Sequence, residues 1–431
     1  MTSAARLILG RTLTLSRDPF HGDPAAAAQW HDRGAVLVGG GLIRAIGPAE
    51  AMIAAHPNAE REDMGDALLL PGFVDCHVHY PQTAIIASWG KRLIDWLNGY
   101  TFPEELRFAD PAYAARQAEA FLDLLALNGT TTACVYCTVH PQSVDAFFTA
   151  AEARGLRMIA GKVMMDRNAP EGLTDTAASG HDESAALMKR WHGRGRLGYA
   201  ITPRFAPTSS PEQLGAAGRL RRAHPECVLQ THLSEQIDEI AWVRALYPDD
   251  EDYFAVYERF GLTGPGAIMG HAIHLTAREI AALAASGTAV AHCPTSNGFI
   301  GSGLCDVAGL KAAGIPVGLA TDTGGGSSFS MLATMRAAYE VAQLRGVSLH
   351  PAQLLWLATA GSAEVMGLGD RIGRLAPGME ADLIALDLRA TPALMARAPR
   401  EGDPWHGLFG AMILGDERCV RAVWSGGRRL R

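Results

Sequence analysis

Two histidines separated by one residue, His77 and His79, close the apolar run GFVDCHVH. Residues two apart on a strand point to the same side, so one ion can take both imidazoles. A His-x-His pair can equally be a hydrogen-bonded feature of a core. Three more segments deliver groups of the same type: His232 in CVLQTHLSE, His271 in AIMGHAIHL and Asp322 in PVGLATDTGG. Three neutral imidazoles and one carboxylate, with a position left for water, describe a catalytic zinc site. Glu235 stands three residues after His232, past the strand end, where a carboxylate can reach over a metal without binding it. That position suits a general acid and base beside a water of lowered pKa. A helix-start role for Glu235, next to Ser234, is compatible with it.

These groups need a frame that brings distant segments to one rim. Eight apolar runs alternate with helix-like segments: GFVDCHVH, TTTACVY, RMIAGKVMMD, LGYAITPRF, CVLQTHLSE, AIMGHAIHL, TAVAHCPTSN and PVGLATDTGG. Repeated βα units of this kind predict an α/β fold, a (β/α)8 TIM-type barrel whose chemistry gathers at the C-terminal ends of the strands. Both chain ends have another texture, with RLILGRTLTL and AVLVGGGLIRAIGP at the start and GRLAPGMEADLIALDL and CVRAVWSGGRRL at the finish. They predict a small β-sandwich domain built from residues 1–66 and 374–431 around a barrel of residues 67–373. The three glycines in the second run suit a hairpin turn. No helix pattern and no GKS or GKT follows them, so a phosphate loop is not expected.

Composition narrows the partner. A net charge of −7 argues against a nucleic-acid or anionic-membrane surface and leaves a small molecule. With 48% hydrophobic and 19% charged residues, the chain has ample material for a core. The start reads as a strand and not as a signal peptide, and no apolar stretch is long enough to cross a bilayer, so a cytoplasmic location is expected. Seven scattered cysteines do not form a disulfide framework. Cys134 and Cys137 make a CxxC without a second pair, and core thiols are expected there.

PGFVDCHVH, THLSE, GHAIHL, AHCPTSN and GLATDT resemble the metal-site motifs of the mononuclear amidohydrolase superfamily. HVHYPQ, WLNGYTFPEELRF, NGTTTACVY, GKVMMD and TPRF are similar to the guanine deaminase family within it, and the likeness spans nearly the whole chain. The resemblance implies one zinc ion per chain held by His77, His79, His232 and Asp322. It implies catalysis by Glu235, Asp322 and His271, the last hydrogen-bonding water or substrate. Gln82, Arg204 and Phe205 would hold the base, which also meets His232, Glu235, His271 and Asp322. The implied reaction is hydrolytic deamination of guanine to xanthine and ammonia, by a homodimer. Cys76 stands where the family usually has Thr, and Thr295 where Asn is common, which leaves the roles of Ser296 and Asn297 open. The physics of the substrate groups agrees. An Arg fork suits a carbonyl oxygen and a ring nitrogen, Gln can donate and accept along a ring edge, and Phe can cover a ring face. A structural ion pair at a strand end is the other role open to Arg204.

The aromatic segment SWGKRLIDWLNGYTF is either a lid or a fixed helix over the barrel top. Gly324, Gly325 and Gly326 are read as a tight loop that lets backbone approach closely. Rival functions keep the same machinery for another aminated purine, pyrimidine or triazine. A binuclear cyclic-amide hydrolase is a second rival. It would need a carboxylated lysine, and the only lysines are Lys91, Lys162, Lys189 and Lys311. A cytidine-deaminase-type site is excluded, because His181-Asp182-Glu183 has no PCxxC to accompany it. A non-catalytic barrel is the reading from another class, and the intact ligand set with Glu235 argues against it.

Overall fold

The computed structural model describes residues 5–90, 92–397 and 402–431; Lys91 lies outside them. The described residues form sixteen strands in two sheets. Strands β1 (Arg6–Leu15), β2 (Ala28–Gly39), β3 (Leu42–Pro48) and β4 (Glu60–Pro71) come from the first part of the chain. Strands β5 (Phe73–His79), β6 (Thr130–Tyr136), β7 (Arg157–Gly161), β8 (Val163–Met164), β9 (Leu197–Pro203), β10 (Val228–Leu233), β11 (Ala267–His271), β12 (Ala289–His292) and β13 (Val317–Leu319) follow. Strands β14 (Leu383–Leu386), β15 (Val420–Ser425) and β16 (Arg428–Arg429) end it.

The fold class expected from the sequence is the one observed. Eight parallel strands pair in the order β5, β6, β7, β9, β10, β11, β12, β13, with the two-residue β8 beside β9. Their near-continuous apolar runs follow from burial on both faces, against helices outside and other strands inside. The interior is lined by small and branched side chains, among them Val74, Cys76, Cys134, Ile159, Ala200, Ile268, Ala291 and Ala320. Larger aromatic residues such as Phe121, Phe147, Phe148 and Trp191 fill the layer between strands and helices. All seven cysteines are free and buried, Cys134 and Cys137 included. The outer helices start where the sequence supplies caps: Thr176 and Thr276 each form a capping box, with Ser179 and Glu279, ahead of Ala177–Trp191 and Ala277–Ser286. No helix among the described residues is long and apolar enough to cross a membrane.

Two backbone hydrogen bonds join the last barrel strand to the first: Asp322 N–H donates to the His77 carbonyl (3.0 Å) and His79 N–H to that of Thr323 (2.8 Å). The β unit expected from the two chain ends is built on one continuous seven-stranded sheet, in the order β16, β15, β14, β4, β1, β2, β3. The glycine run makes the expected hairpin, with Gly39 opposite Leu42 across the β2–β3 turn. Strand β4 belongs to this sheet along its length, and β5 starts two residues after it.

Sheet and barrel are pinned through Glu380. Its carboxylate accepts from Arg157 Nε (2.5 Å), Arg196 Nε (2.8 Å) and Arg371 Nε (3.0 Å), while Arg196 also pairs with Asp382 and donates to Ser425 Oγ (2.8 Å). Burial pushes the Glu380 carboxyl up, but the hydrogen bond from Arg157 and the charge of Arg196 outweigh it and hold the group below the usual range. Removing one partner of a buried ion network leaves the others uncompensated. Glu380→Gln should cost about 3 kcal/mol, the low end for such sites because Arg371 is half exposed. A depressed carboxylate pKa stabilises above its unfolded value, near pH 4, and that stability is lost as the pH falls through the folded value. Denaturant unfolding should therefore show the wild-type advantage in full at pH 7 and little of it in strong acid. Equal stabilities at pH 7 would contradict this account.

Candidate active site

The site is built where the strands end. Val74 and Cys76 face the barrel interior, and a register irregularity between Asp75 and Val78 then reverses the alternation of β5, so that Val78 joins the outer apolar layer while His77 and His79 face the barrel mouth. His77 can sit there because β11 has glycine opposite: a Cβ on Gly270 would lie 2.7 Å from the His77 ring. One ligand atom from each of His77, His79, His232 and Asp322 falls within 4.8 Å of the others, and all four residues are buried. His77 Nε2 and His79 Nε2 each lie 3.2 Å from Asp322 Oδ1, and His232 Nε2 lies 3.3 Å from His79 Nε2. A second convergence draws His271 and Cys293 toward His77 and Asp322, but the Cys293 thiol donates to the Ala291 carbonyl (3.4 Å) and burial raises its pKa.

Electrostatics divides the four imidazoles. Burial lowers the pKa of His77, of His79 to about 4, and of His232 well below the usual value, so these three are neutral with lone pairs to give. His232 Nδ1 meets the Arg204 carbonyl at 2.7 Å. A carbonyl only accepts, so Nδ1 carries the proton and Nε2 the lone pair that faces the cluster. His271 differs. Burial pushes it down, but Glu235 and Asp322 outweigh burial and raise its pKa. Its Nε2 lies 3.4 Å from Glu235 Oε2 and 3.7 Å from Asp322 Oδ2, and Nδ1 donates to Asn297 Oδ1 at 2.9 Å. Asn297, whose role the sequence left open, thus orients His271, and Ser296 lines the pocket. For Asp322, burial works upward, yet contacts from His77 and His79 keep the carboxyl well below the ordinary range.

Glu235 is buried with its carboxylate toward the cluster. Burial above all raises its pKa to about 7. Ser302 Oγ donates to Glu235 Oε1 (2.8 Å) and itself accepts from Gln236 Nε2 (3.1 Å). The next helix, Ile237–Leu246, is capped by Gln236 in a box with Glu239, so the Glu235 side chain has no capping duty. Asp75, inside the first motif, accepts from Thr321 through both N–H (3.1 Å) and hydroxyl (2.5 Å) and ties β5 to the segment carrying Asp322.

Above the cluster lies a pocket lined by His79, Gln82, Leu93, Trp96, Leu97, Thr101, Arg204, Phe205, His232, Glu235, His271, Ser296, Ile300, Asp322 and Gly325. Every residue singled out from the sequence as catalytic or substrate-binding lines it, and His77 lies at its base in the ligand cluster. The aromatic segment after β5 covers the cavity through Leu93, Trp96 and Leu97. Arg92 pairs with Asp238 (3.2 Å) and Leu93 N–H donates to Gln236 Oε1 (3.4 Å) at its near end. The loop after Asp322 is tight, as its glycines suggested: a Cβ on Gly326 would lie 1.8 Å from the Thr321 carbonyl oxygen. The ion pair weighed for Arg204 is present as well. Its Nη1 donates to both oxygens of Glu105 (3.0 and 2.8 Å), and Gln82 Nε2 donates to Glu105 Oε1 (3.1 Å). Glu105, Ser302 and Asp75 are site residues that the sequence did not single out. Asp75 and Glu105 lie inside quoted motifs, whereas Ser302 lies in none.

Comparison with known proteins agrees with this geometry. The amidohydrolase family matches residues 68–430, and an imidazolonepropionase-like composite domain of bacteria matches residues 34–59. Guanine deaminase of Escherichia coli K12 is 45% identical over 405 residues, covering 94% of this chain and 92% of that protein. The solved structure of E. coli guanine deaminase superposes with a TM-score of 0.96 at 43% identity, over 99% of both chains. A guanine deaminase from C. acetobutylicum, solved with guanine in its active site, superposes with a TM-score of 0.89 at 26% identity, over 99% of this chain and all of that one. By these matches over nearly its whole length, the chain belongs to the amidohydrolase family and, within it, to the guanine deaminases.

Proposed function

We propose that this chain hydrolyses guanine to xanthine and ammonia with one zinc ion per chain. The observation that carries the reading is the stacking of two kinds of site in one cavity: a buried cup of neutral imidazoles and a carboxylate below, and Arg204, Gln82 and Phe205 above. The names of the similar proteins support the substrate, and guanine bound in the C. acetobutylicum protein supports the pocket.

The donor set fits a divalent metal. Both ring nitrogens of His77 are buried without a hydrogen-bond partner, a cost that a cation would relieve by taking the Nε2 lone pair. His77, His79, His232 and Asp322 would hold it, and three imidazoles with one oxygen ligand suit zinc. When bound, the ion supplies acidity to a water so that it can attack at neutral pH. Arg204 directs N–H donors at the C6 carbonyl of guanine, Gln82 takes the adjacent ring edge and Phe205 covers a face. C2 is thereby placed toward the cup. Glu235, with a pKa near the working pH, takes one proton from the attacking water and delivers it to N3, then takes the remaining proton from the hydroxyl added at C2 and delivers it to the amino group. The C2–O bond forms, the C2–N bond breaks and ammonia leaves. His271 lies beside both carboxylates, where it can donate to the oxygen added at C2. Lys162, the lysine at the end of β7, is paired with Asp175 (2.5 Å) and Glu183 (3.3 Å). This supports a single-ion site over a lysine-bridged pair. The division into a barrel and a β-sandwich domain built from both chain ends belongs to the same proposal, with its first boundary between β4 and β5 rather than at residues 66 and 67, because Leu68–Pro71 of β4 pair with β14. So do a homodimer, a cytoplasmic location and a role in purine breakdown, which rest on family likeness.

Three outcomes are expected. The zinc-loaded protein should turn guanine into xanthine with one ammonia released, lose this activity on chelation and regain it with zinc. Full activity in a metal-free sample, or ammonia from other aminated heterocycles but not from guanine, would contradict the assignment. Glu235→Gln keeps the shape but cannot shuttle protons, so kcat should fall by roughly 10²-fold or more while bound zinc, measured by atomic absorption, is unchanged. Loss of the zinc together with the activity would make Glu235 a ligand or a structural residue. 2-Aminopurine has the reactive amino group but no C6 oxygen, and a charge-assisted hydrogen bond is worth roughly tenfold to a hundredfold in rate. Arg204→Ala should therefore cut kcat/KM for guanine by about that factor and for 2-aminopurine much less. A parallel loss on both would show that Arg204 does not read the base.

A further inference from the structure

We propose that Glu105 is a positioning residue that fixes the hydrogen-bonding face of the base pocket by holding Arg204 and Gln82 in one arrangement. The inference rests on guanine being the substrate, as proposed above. Glu105 lies in the short helix Phe102–Leu106, and Glu105, Arg204 and Gln82 are all buried. Its two oxygens accept from Arg204 Nη1 at 3.0 and 2.8 Å, and Oε1 also accepts from Gln82 Nε2 at 3.1 Å. Phe102, three residues earlier and therefore on the same helix face, has its ring 5.7 Å from Arg204 Cζ. One turn of helix thus grips the guanidinium from two sides.

Three consequences follow for the pocket. A buried guanidinium without a counter-charge is costly and would favour an anionic ligand, whereas the pair with Glu105 leaves the pocket neutral, as a neutral base requires. The pair also occupies Nη1, so the rigid fork turns its remaining N–H groups, on Nη2 and Nε, elsewhere as donors. The third concerns Gln82, whose amide can face either way until its neighbours decide. A carboxylate only accepts, so Glu105 takes the Nε2 end, and Oε1 is left on the side where Gly324 N–H meets it at 3.4 Å. Gln82 then offers an acceptor while Arg204 offers donors. That pattern complements a lactam edge, a carbonyl oxygen beside a ring N–H, which guanine has at C6 and N1 and 2-aminopurine lacks. Glu105 touches neither the reacting carbon nor the ligand cup, so its effect is on which base is chosen.

The test is the ratio of kcat/KM for guanine to that for 2-aminopurine. Glu105→Gln removes the charge and lets the Gln82 amide turn over, and this ratio should fall about tenfold, chiefly through KM for guanine, with bound zinc near the wild-type value and a lower melting temperature because buried Arg204 loses its counter-charge. Glu105→Asp keeps the charge but draws it back by one methylene and should give an intermediate ratio. A wild-type ratio in the variants, or an equal loss on both bases, overturns the inference. If Glu105→Gln does not fold, the same outcomes are read from Glu105→Asp alone. A wild-type enzyme that releases no ammonia from guanine would defeat the activity assignment itself, whereas an active wild type with an unchanged ratio in the variants defeats only the role of Glu105.

Discussion

Two backbone hydrogen bonds, from Asp322 to His77 and from His79 to Thr323, close the barrel between its first and last strands. Buried Asp75 adds a third link by taking both the amide and the hydroxyl of Thr321. The strands that supply His77, His79 and Asp322 lie some 240 residues apart in sequence, and this seam makes them neighbours. The geometry of the cup is therefore a property of barrel closure. Small residues inside the barrel allow it, and Gly270 leaves the space that the His77 ring fills. Ser234, His271, Ala272 and Asp322 adopt left-handed backbone around the same rim. Each such residue costs on the order of 1 kcal/mol, a strain that the closed barrel offsets.

Charge compensation governs the rest of the pocket. Three imidazoles are held neutral by burial, and the fourth is biased toward its charged form by Glu235 and Asp322. The cup and the proton carrier are thus kept chemically distinct within a few ångströms. Arg204, the charged group of the base pocket, is matched by Glu105, and Glu235 is lifted toward neutrality where a carboxyl can both give and take a proton. Asn297, in the short helix Pro294–Phe299, and Ser302, in the loop after it, hold His271 and Glu235 respectively.

The sequence made legible whatever lies on a strand end. His77, His79, His232, His271, Asp322 and Arg204 lie at the ends of apolar runs, and barrel topology brings those ends to one rim; the irregularity in β5 that turns His77 and His79 inward was not legible in the sequence. Glu235 was legible from its offset of three residues, and Gln82 and Phe205 from the family motifs around them. Ser302 was not, because it comes from an irregular loop 67 residues from the carboxylate it serves, and loop conformation is set by tertiary contacts. Glu105 lay inside a quoted motif, but a glutamate in a short helix reads as solvent-facing until the fold buries it against Arg204. The β unit was legible in the texture of both chain ends, whereas its single seven-stranded pairing depends on β14 meeting β4 across more than 300 residues.

Activity depends on one buried cup of three imidazoles and one carboxylate at the barrel mouth. Anomalous diffraction at the zinc edge, from crystals of the zinc-loaded protein, tests it most directly. The account predicts one strong peak per chain, enclosed by His77, His79, His232 and Asp322. A peak elsewhere, no peak, or two peaks sharing Asp322 would contradict it.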